Sequence, residues 1–177
     1  MRRLVLLAAL SILLALPAAL SARPNPRGDG TLSLKNGRGE FILQVKGAII
    51  GRMGSGKITV TDIDPYDEQV PDIRGRIHPR PRTINDATTV YQGQQIRFRV
   101  MEGAYKLKIN GAGVNLSAVG RGWVILDGDD RFENVGFYSL NGDPYEPVPY
   151  ERTQKLKLAL PVVPPGPRVR ARVILGP

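Results

Sequence analysis

Apolar and polar residues alternate along most of the chain with the period of two that is typical of β-strands. The clearest stretch is IRFRVMEGAYKLKI, residues 96–109, in which apolar residues alternate first with arginines and then with lysines. Glu102 and Gly103 stand between the two runs as turn residues. The pattern predicts a β-hairpin with one apolar and one basic face, on which Arg99 lies opposite Lys106. Arg97 then lies opposite Lys108.

The same alternation predicts strands on both sides of this hairpin. A first hairpin, 31–35 with 40–46, turns at the glycine-rich residues 36–39, and a third strand follows at 57–62. Later strands are predicted by the alternating runs 132–140, 154–160 and 168–175. Residues 63–88 hold four prolines between Pro65 and Pro81, so we interpret them as a long connection. The predicted inner face of the first hairpin consists of Leu32, Leu34, Phe41, Leu43 and Val45.

Two segments of about the same length share their order of strands and glycines. When residues 31–62 are moved onto 95–127, Leu34 falls on Phe98, and Gly39 and Gly47 fall on glycines. The match predicts a duplicated three-strand unit, although two unrelated hairpins could share their apolar spacing by chance. Two copies are too few for a solenoid, so we expect an all-β fold, an antiparallel sandwich or barrel in which both units pack into one domain.

The first 22 residues have the features of a secretory signal peptide. Arg2 and Arg3 precede the apolar run 4–20, and the small residues Ser21 and Ala22 follow. Pro17 breaks the apolar run near its end, which favours cleavage, after Ser21 or after Ala22, over an uncleaved membrane anchor. We therefore expect a signal peptide at 1–22, a single domain at 23–177, and a secreted or cell-surface location.

Charge points to the class of partner. The formal net charge of +9 falls to +7 when Arg2 and Arg3 are removed with the signal peptide. Such an excess favours anionic cell-wall polymers or lipid headgroups outside the cell. Aromatic residues do not interleave with the basic ones, which argues against a specific nucleic-acid platform. The oligomeric state is left open.

Residues suited to catalysis or metal binding are scarce. His78 is the only histidine and cysteine is absent, so nucleophilic triads and zinc sites lack their parts. The glycine-rich stretch 51–57 fits a phosphate-binding loop only until Ile58 replaces the hydroxyl residue that would hold magnesium. Asp127, Asp129 and Asp130 could contribute to a calcium site, but aspartate is also an ordinary turn residue. We expect no catalytic residues, no metal site and no cofactor.

The basic face of the hairpin is the remaining candidate site. Its members, which we predict to bind anions, are Arg97, Arg99, Lys106 and Lys108. The corresponding positions of the first unit are Ser33, Lys35, Ile42 and Gln44, so the fold itself does not require the charge. The alternative is a solvated sheet face whose cations prevent aggregation of strand edges.

The run LSAVGRGWVILDGDD, together with the arginine-containing signal peptide and the glycine-alanine stretches, resembles uncharacterised exported β-rich proteins of high-GC Gram-positive bacteria. The resemblance implies export and a non-enzymatic role, and it implies no site residues. Together with the basic face it predicts a binding or structural role at the cell envelope, in contact with anionic polymers. The alternative is a protein–protein interaction module or a subunit of a surface assembly.

Cleavage of the signal peptide can be measured directly. When the full chain is expressed in an exporting host, we expect the exported protein to begin at Ala22 or Arg23, because small residues there fit the signal peptidase site. Intact-mass analysis of the culture medium and of the membrane fraction decides between cleavage and anchoring. A full-length chain found only in the membrane fraction would contradict the prediction.

Overall fold

A computed structural model describes residues 29–66, 69–150 and 154–158. The fold is all-β: these residues contain no helix, and their strands form one antiparallel sheet that is not closed into a barrel. The barrel that we expected as one alternative is therefore wrong. The strands are β1 (Gly30–Asp62), β2 (Asp72–Ile77), β3 (Arg82–Asn85), β4 (Thr88–Val100), β5 (Ala104–Gly128), β6 (Phe137–Leu140), β7 (Glu146–Pro147) and β8 (Gln154–Leu158).

The two longest strands, β1 and β5, pair with each other along both of their edges. Residues 30–46 of β1 pair with 104–120 of β5, and residues 39–62 of β1 pair with 105–128 on the opposite edge. Residues 49–61 of β1 pair with β4 on the edge opposite to β5, and β2 pairs with the outer edge of β4. The backbone groups in the middle of both strands therefore have hydrogen-bond partners on two sides, which the buried centre of a sheet requires.

Glycine pairs allow the two long strands to bend where they pass each other. Gly47 lies directly opposite Gly120, and both have a positive φ, 152° and 151°. A Cβ atom on Gly47 would overlap the carbonyl oxygen of Val119 in the facing strand. Glycine is needed here because any side chain would push the two backbones apart.

The alternating apolar positions form a single hydrophobic core. All five residues predicted for the inner face of the first hairpin are at most 2% exposed, which confirms their burial. The apolar residues of the second predicted hairpin are buried in the same cluster; they are Ile96, Phe98, Val100, Tyr105, Leu107 and Ile109. Period-two patterning thus identified which side chains face the core, because a strand turns every second side chain to the same face.

The predicted hairpin pairings are wrong. The glycine-rich residues 36–39 do not reverse the chain, because β1 runs through them as one strand with a register shift between Leu34 and Gly37. The second hairpin also does not form: β4 pairs with β1, β2 and β3, and β1 lies between β4 and β5. Local alternation predicts that strands exist, but their partners depend on contacts between distant residues.

The connection predicted at 63–88 contains structure of its own. β2 and β3 both lie within it, and each pairs with β4. Its prolines lie outside these strands, at positions where a missing N–H breaks no ladder. The run predicted at 132–140 is a strand only over β6. The signal peptide and the predicted strand at 168–175 lie outside the described residues, and the duplication of units 31–62 and 95–127 stays a prediction.

We expect Gly47→Ala to lower the free energy of unfolding by about 3 kcal/mol, because the new methyl group meets the backbone of Val119 and the φ of the residue is strained. Urea denaturation followed by tryptophan fluorescence measures the change.

Gly142→Ala is the matched control. Gly142 also has a positive φ, 86°, but nothing lies within 4 Å of its added Cβ. We expect this variant to lose only about 1 kcal/mol, the cost of a left-handed backbone alone. Equal losses in the two variants would show that close approach of β1 and β5 does not require Gly47.

Candidate functional site

Basic side chains line up across adjacent strands on the outer face of the sheet. Arg97 of β4 lies directly opposite Arg74 of β2 on one side and Arg52 of β1 on the other. Arg52 in turn lies opposite Asn115 of β5. Neighbouring strands are about 4.8 Å apart, so the three guanidinium groups start from backbone positions that span only about 10 Å.

A shallow, open groove of about 730 Å³ lies over this part of the sheet. We call it the arginine groove and define it by its cationic side chains, which are Lys35, Arg52, Arg74, Arg97 and Arg99. Among the described residues that line it, Asp72 is the only acidic one. A volume of this size falls within the range of ligand-binding sites, about 300–1,000 Å³.

Most of this positive charge is not neutralised by the protein. Asp72 accepts a hydrogen bond of 2.8 Å from Nε of Arg74, and that bond raises the pKa of Arg74. Within the described part of the chain, Arg52, Arg97 and Arg99 form no salt bridge. Like charges directly opposite each other destabilise a sheet, and here three arginines face one another in one row. Although Arg74 is paired with Asp72, we therefore expect the row to lower stability when no anion is bound.

The floor of the groove is apolar. The ring of Phe98 occupies the space next to Gly51 in which a Cβ atom would otherwise lie. Ile50, beside Gly51, has a relative exposure of 49% and is the large apolar side chain that opens to solvent in the groove. The arginine side chains are therefore exposed to solvent on one side and lie over apolar atoms on the other.

Hydroxyl groups lie at the opposite side of the groove from β2. Ser117 of β5 lies directly opposite Ser33 in the first part of β1, and both line the groove. Ser33 Oγ and Tyr145 Oη share a hydrogen bond of 2.8 Å, and Lys35 Nζ lies 3.8 Å from the centre of the Tyr145 ring. The hydrogen bond with Ser33, followed by the effect of Lys35, lowers the pKa of Tyr145. Asn115 is held in place by donating to the carbonyl of Gly113 and accepting from the N–H of Asn36.

The structure divides the four residues predicted to bind anions into two pairs. Arg97 and Arg99 lie in the arginine groove, whereas Lys106 and Lys108 lie on another part of the sheet. Lys106 is opposite Thr61 of β1, nine residues beyond Arg52, a distance of up to about 30 Å along the strand. Lys108 already has a partner, because its Nζ lies 2.9 Å from Oε1 of Glu40.

The sequence pattern missed three of the basic residues in the groove. Lys35 and Arg52 belong to β1, and Arg74 belongs to β2 in the segment interpreted as a connection. The alternation in DIRGRI, residues 72–77, was a signal for β2, but it is short and lies among prolines. Even with all strands identified, these residues meet only through pairings between β2, β4 and β1 that no local pattern specifies.

The other candidate features of the sequence form neither a metal site nor a phosphate-binding loop in the described part of the chain. Among the described residues, no group of three or more histidine, cysteine, aspartate or glutamate side chains could hold a metal ion. Both carboxylate oxygens of Asp129 bond to Arg131, at 2.7 and 2.6 Å, and these bonds lower the pKa of Asp129. Residues 51–57 are part of β1 and form no phosphate-binding loop. His78 is exposed and lies outside the arginine groove.

Comparison with known proteins found no matching family model, no matching curated protein and no matching solved structure. In the described part of the chain, no helix has the length and apolar character needed to cross a membrane.

We expect Arg97→Gln to raise the free energy of unfolding by about 0.5 kcal/mol at low salt, because it removes the middle charge from the row of three arginines. The gain should fade at high salt, where exposed charges are screened. Lys106→Gln, which removes an exposed cation that lies between Gln44 and Thr61, is the control and should change stability little. Urea denaturation at two salt concentrations measures both, and a loss of stability in Arg97→Gln would show that the row is already neutralised.

Proposed function

We propose that this protein is an exported, non-enzymatic binding protein of the cell envelope that holds an anionic polymer in the arginine groove. The observation that carries the proposal is the row of Arg74, Arg97 and Arg52, brought into cross-strand register with a single carboxylate nearby. The expected signal peptide at 1–22 and the duplicated unit belong to the same proposal, and neither cofactor nor metal takes part in it.

An anionic ligand accounts for an arrangement that is otherwise unfavourable. The guanidinium group presents a rigid fork of donors that fits carboxylate, phosphate and sulfate groups in a bidentate manner. Arg52, Arg97 and Arg99 each keep these donors available, since none forms an ion pair within the described residues. A ligand that carries several negative charges would relieve the repulsion within the row and gain several charge-assisted hydrogen bonds at once.

The extent of the site suits a polymer. A second depression of about 670 Å³ shares Arg52, Arg74 and Arg97 with the arginine groove and adds Arg76. A chain can lie along such a track and place successive charges on successive arginines.

Charge reversal in the groove tests the proposal. We expect Arg52→Glu combined with Arg97→Glu to reduce binding to an immobilised polymer of carboxylate-bearing sugars, polygalacturonate, by at least about 100-fold, since two charge-assisted contacts become repulsive. Binding by the unmodified protein should weaken steeply as salt is added. Biolayer interferometry at several salt concentrations measures both effects.

Lys106→Glu combined with Lys157→Glu is the matched control, because it changes the net charge equally on exposed residues outside the groove. We expect this variant to bind almost as tightly as the unmodified protein. If both variants lost the same affinity, binding would depend on overall charge alone, which would contradict a defined site. Stronger binding to vesicles of anionic phospholipid than to the polymer would identify the membrane as the partner instead.

A further inference from the structure

We infer that the polymer is an acidic polysaccharide, a chain in which hydroxyl groups accompany the negative charges. This inference rests on the proposed function and narrows it. It comes from the two sides of the groove, an arginine side formed by β2, β4 and Arg52 of β1, and a hydroxyl side formed by Ser117 of β5 and Ser33 of β1, where Lys35 lies against the ring of Tyr145.

Two cross-strand rows define the groove. In the first, Arg74, Arg97 and Arg52 are followed by Asn115. In the second, Asp72 and Arg99 are followed by Ile50, then Ser117, then Ser33. The charged residues of each row therefore lie toward β2, and the uncharged polar residues lie toward β5. From Arg99 to Ser33 the second row covers three strand spacings, about 14 Å, so a ligand that spans it meets both kinds of group.

The hydroxyl side offers donors and acceptors that suit a sugar. Ser117 is exposed and forms no side-chain hydrogen bond with any described residue. A hydroxyl can donate one hydrogen bond and accept two, so Ser117 can bond to a hydroxyl of the ligand in either direction. Ser33 is held in one orientation by Tyr145, and it keeps further capacity to bond because its oxygen forms just that hydrogen bond with the described residues.

The apolar floor between the two sides suits the same ligand. Ile50 lies between Arg99 and Ser117 in the second row, with its side chain half exposed. A sugar ring presents C–H groups on its faces and hydroxyl groups around its edge, so it can cover Ile50 while its edge bonds to Ser117. Inorganic polyphosphate has no apolar face to cover Ile50, and its oxygens can only accept a hydrogen bond from Ser117, whereas a sugar hydroxyl can also donate one.

Three polymers separate the contributions of charge and hydroxyl groups. Polygalacturonate carries both, fully methyl-esterified polygalacturonate keeps the hydroxyl groups without the charge, and inorganic polyphosphate carries only the charge. We expect the full chain after signal removal to bind polygalacturonate at least 5-fold more tightly per charge than polyphosphate, about the effect of one additional hydrogen bond. Methyl-esterified polymer should not bind. Isothermal titration calorimetry gives the affinities.

The variant Ser117→Ala tests the hydroxyl side without disturbing the fold, because Ser117 is exposed. We expect it to weaken binding to polygalacturonate about 5-fold and to weaken binding to polyphosphate less, since polyphosphate can only accept a hydrogen bond from Ser117. Ser55→Ala, which removes another exposed hydroxyl of the sheet outside the arginine groove, is the control and should change neither affinity.

The outcomes distinguish this inference from the proposed function. If polyphosphate binds as tightly as polygalacturonate and Ser117→Ala has no effect, the groove is a general anion site and the inference is wrong while the proposed function stands. If neither charged polymer binds, both are wrong. Tighter binding to single-stranded DNA than to polygalacturonate would also overturn the inference, because contacts with bases or phosphates would then contribute more to binding than contacts with hydroxyl groups.

Discussion

The double pairing of β1 with β5 is the constraint on which the rest of the fold depends. Residues 39–46 of β1 and 105–120 of β5 have the other strand on both edges, so the backbone in the middle of the sheet is paired on two sides. This arrangement requires two extended backbones to bend around each other without separating, and the facing residues Gly47 and Gly120 make the close approach possible. A chain without cysteine can thus hold its single core through backbone pairing and apolar burial alone.

The arginine groove is a consequence of the same pairing. β4 pairs with the edge of β1 opposite to β5, and β2 pairs with the outer edge of β4. Side chains from three distant parts of the sequence therefore lie side by side. Arg52, Arg74 and Arg97 are brought together in this way, with Asn115 continuing their row on β5. Gly51 contributes by leaving room for the buried ring of Phe98, while the neighbouring Ile50 gives the groove its exposed apolar surface. The row therefore adds electrostatic repulsion between arginines, and it places several hydrogen-bond donors for an anion close together.

The basic face predicted from residues 96–109 shows where local reasoning succeeds and where it fails. Alternation correctly separated buried Phe98 from exposed Arg97 and Arg99, because that separation depends only on the geometry of an extended strand. It wrongly joined the arginines to Lys106 and Lys108, because adjacent strands in a sequence often pair and these two do not. The cluster that the structure shows includes Arg74, which lies in a segment that the prolines made look like a loop.

The sequence by itself determined the class of fold, the residues that form the core and the positive charge of the surface. Each of these follows from local properties, namely the period of apolar residues, the absence of a helical pattern and the number of basic side chains. Only the tertiary structure decided which charges meet. The neighbours of a charge depend on strand partners and register, which are set by packing between residues far apart in the chain. For Arg97 these neighbours are Arg52 and Arg74, and not Lys108 as the local pattern predicted.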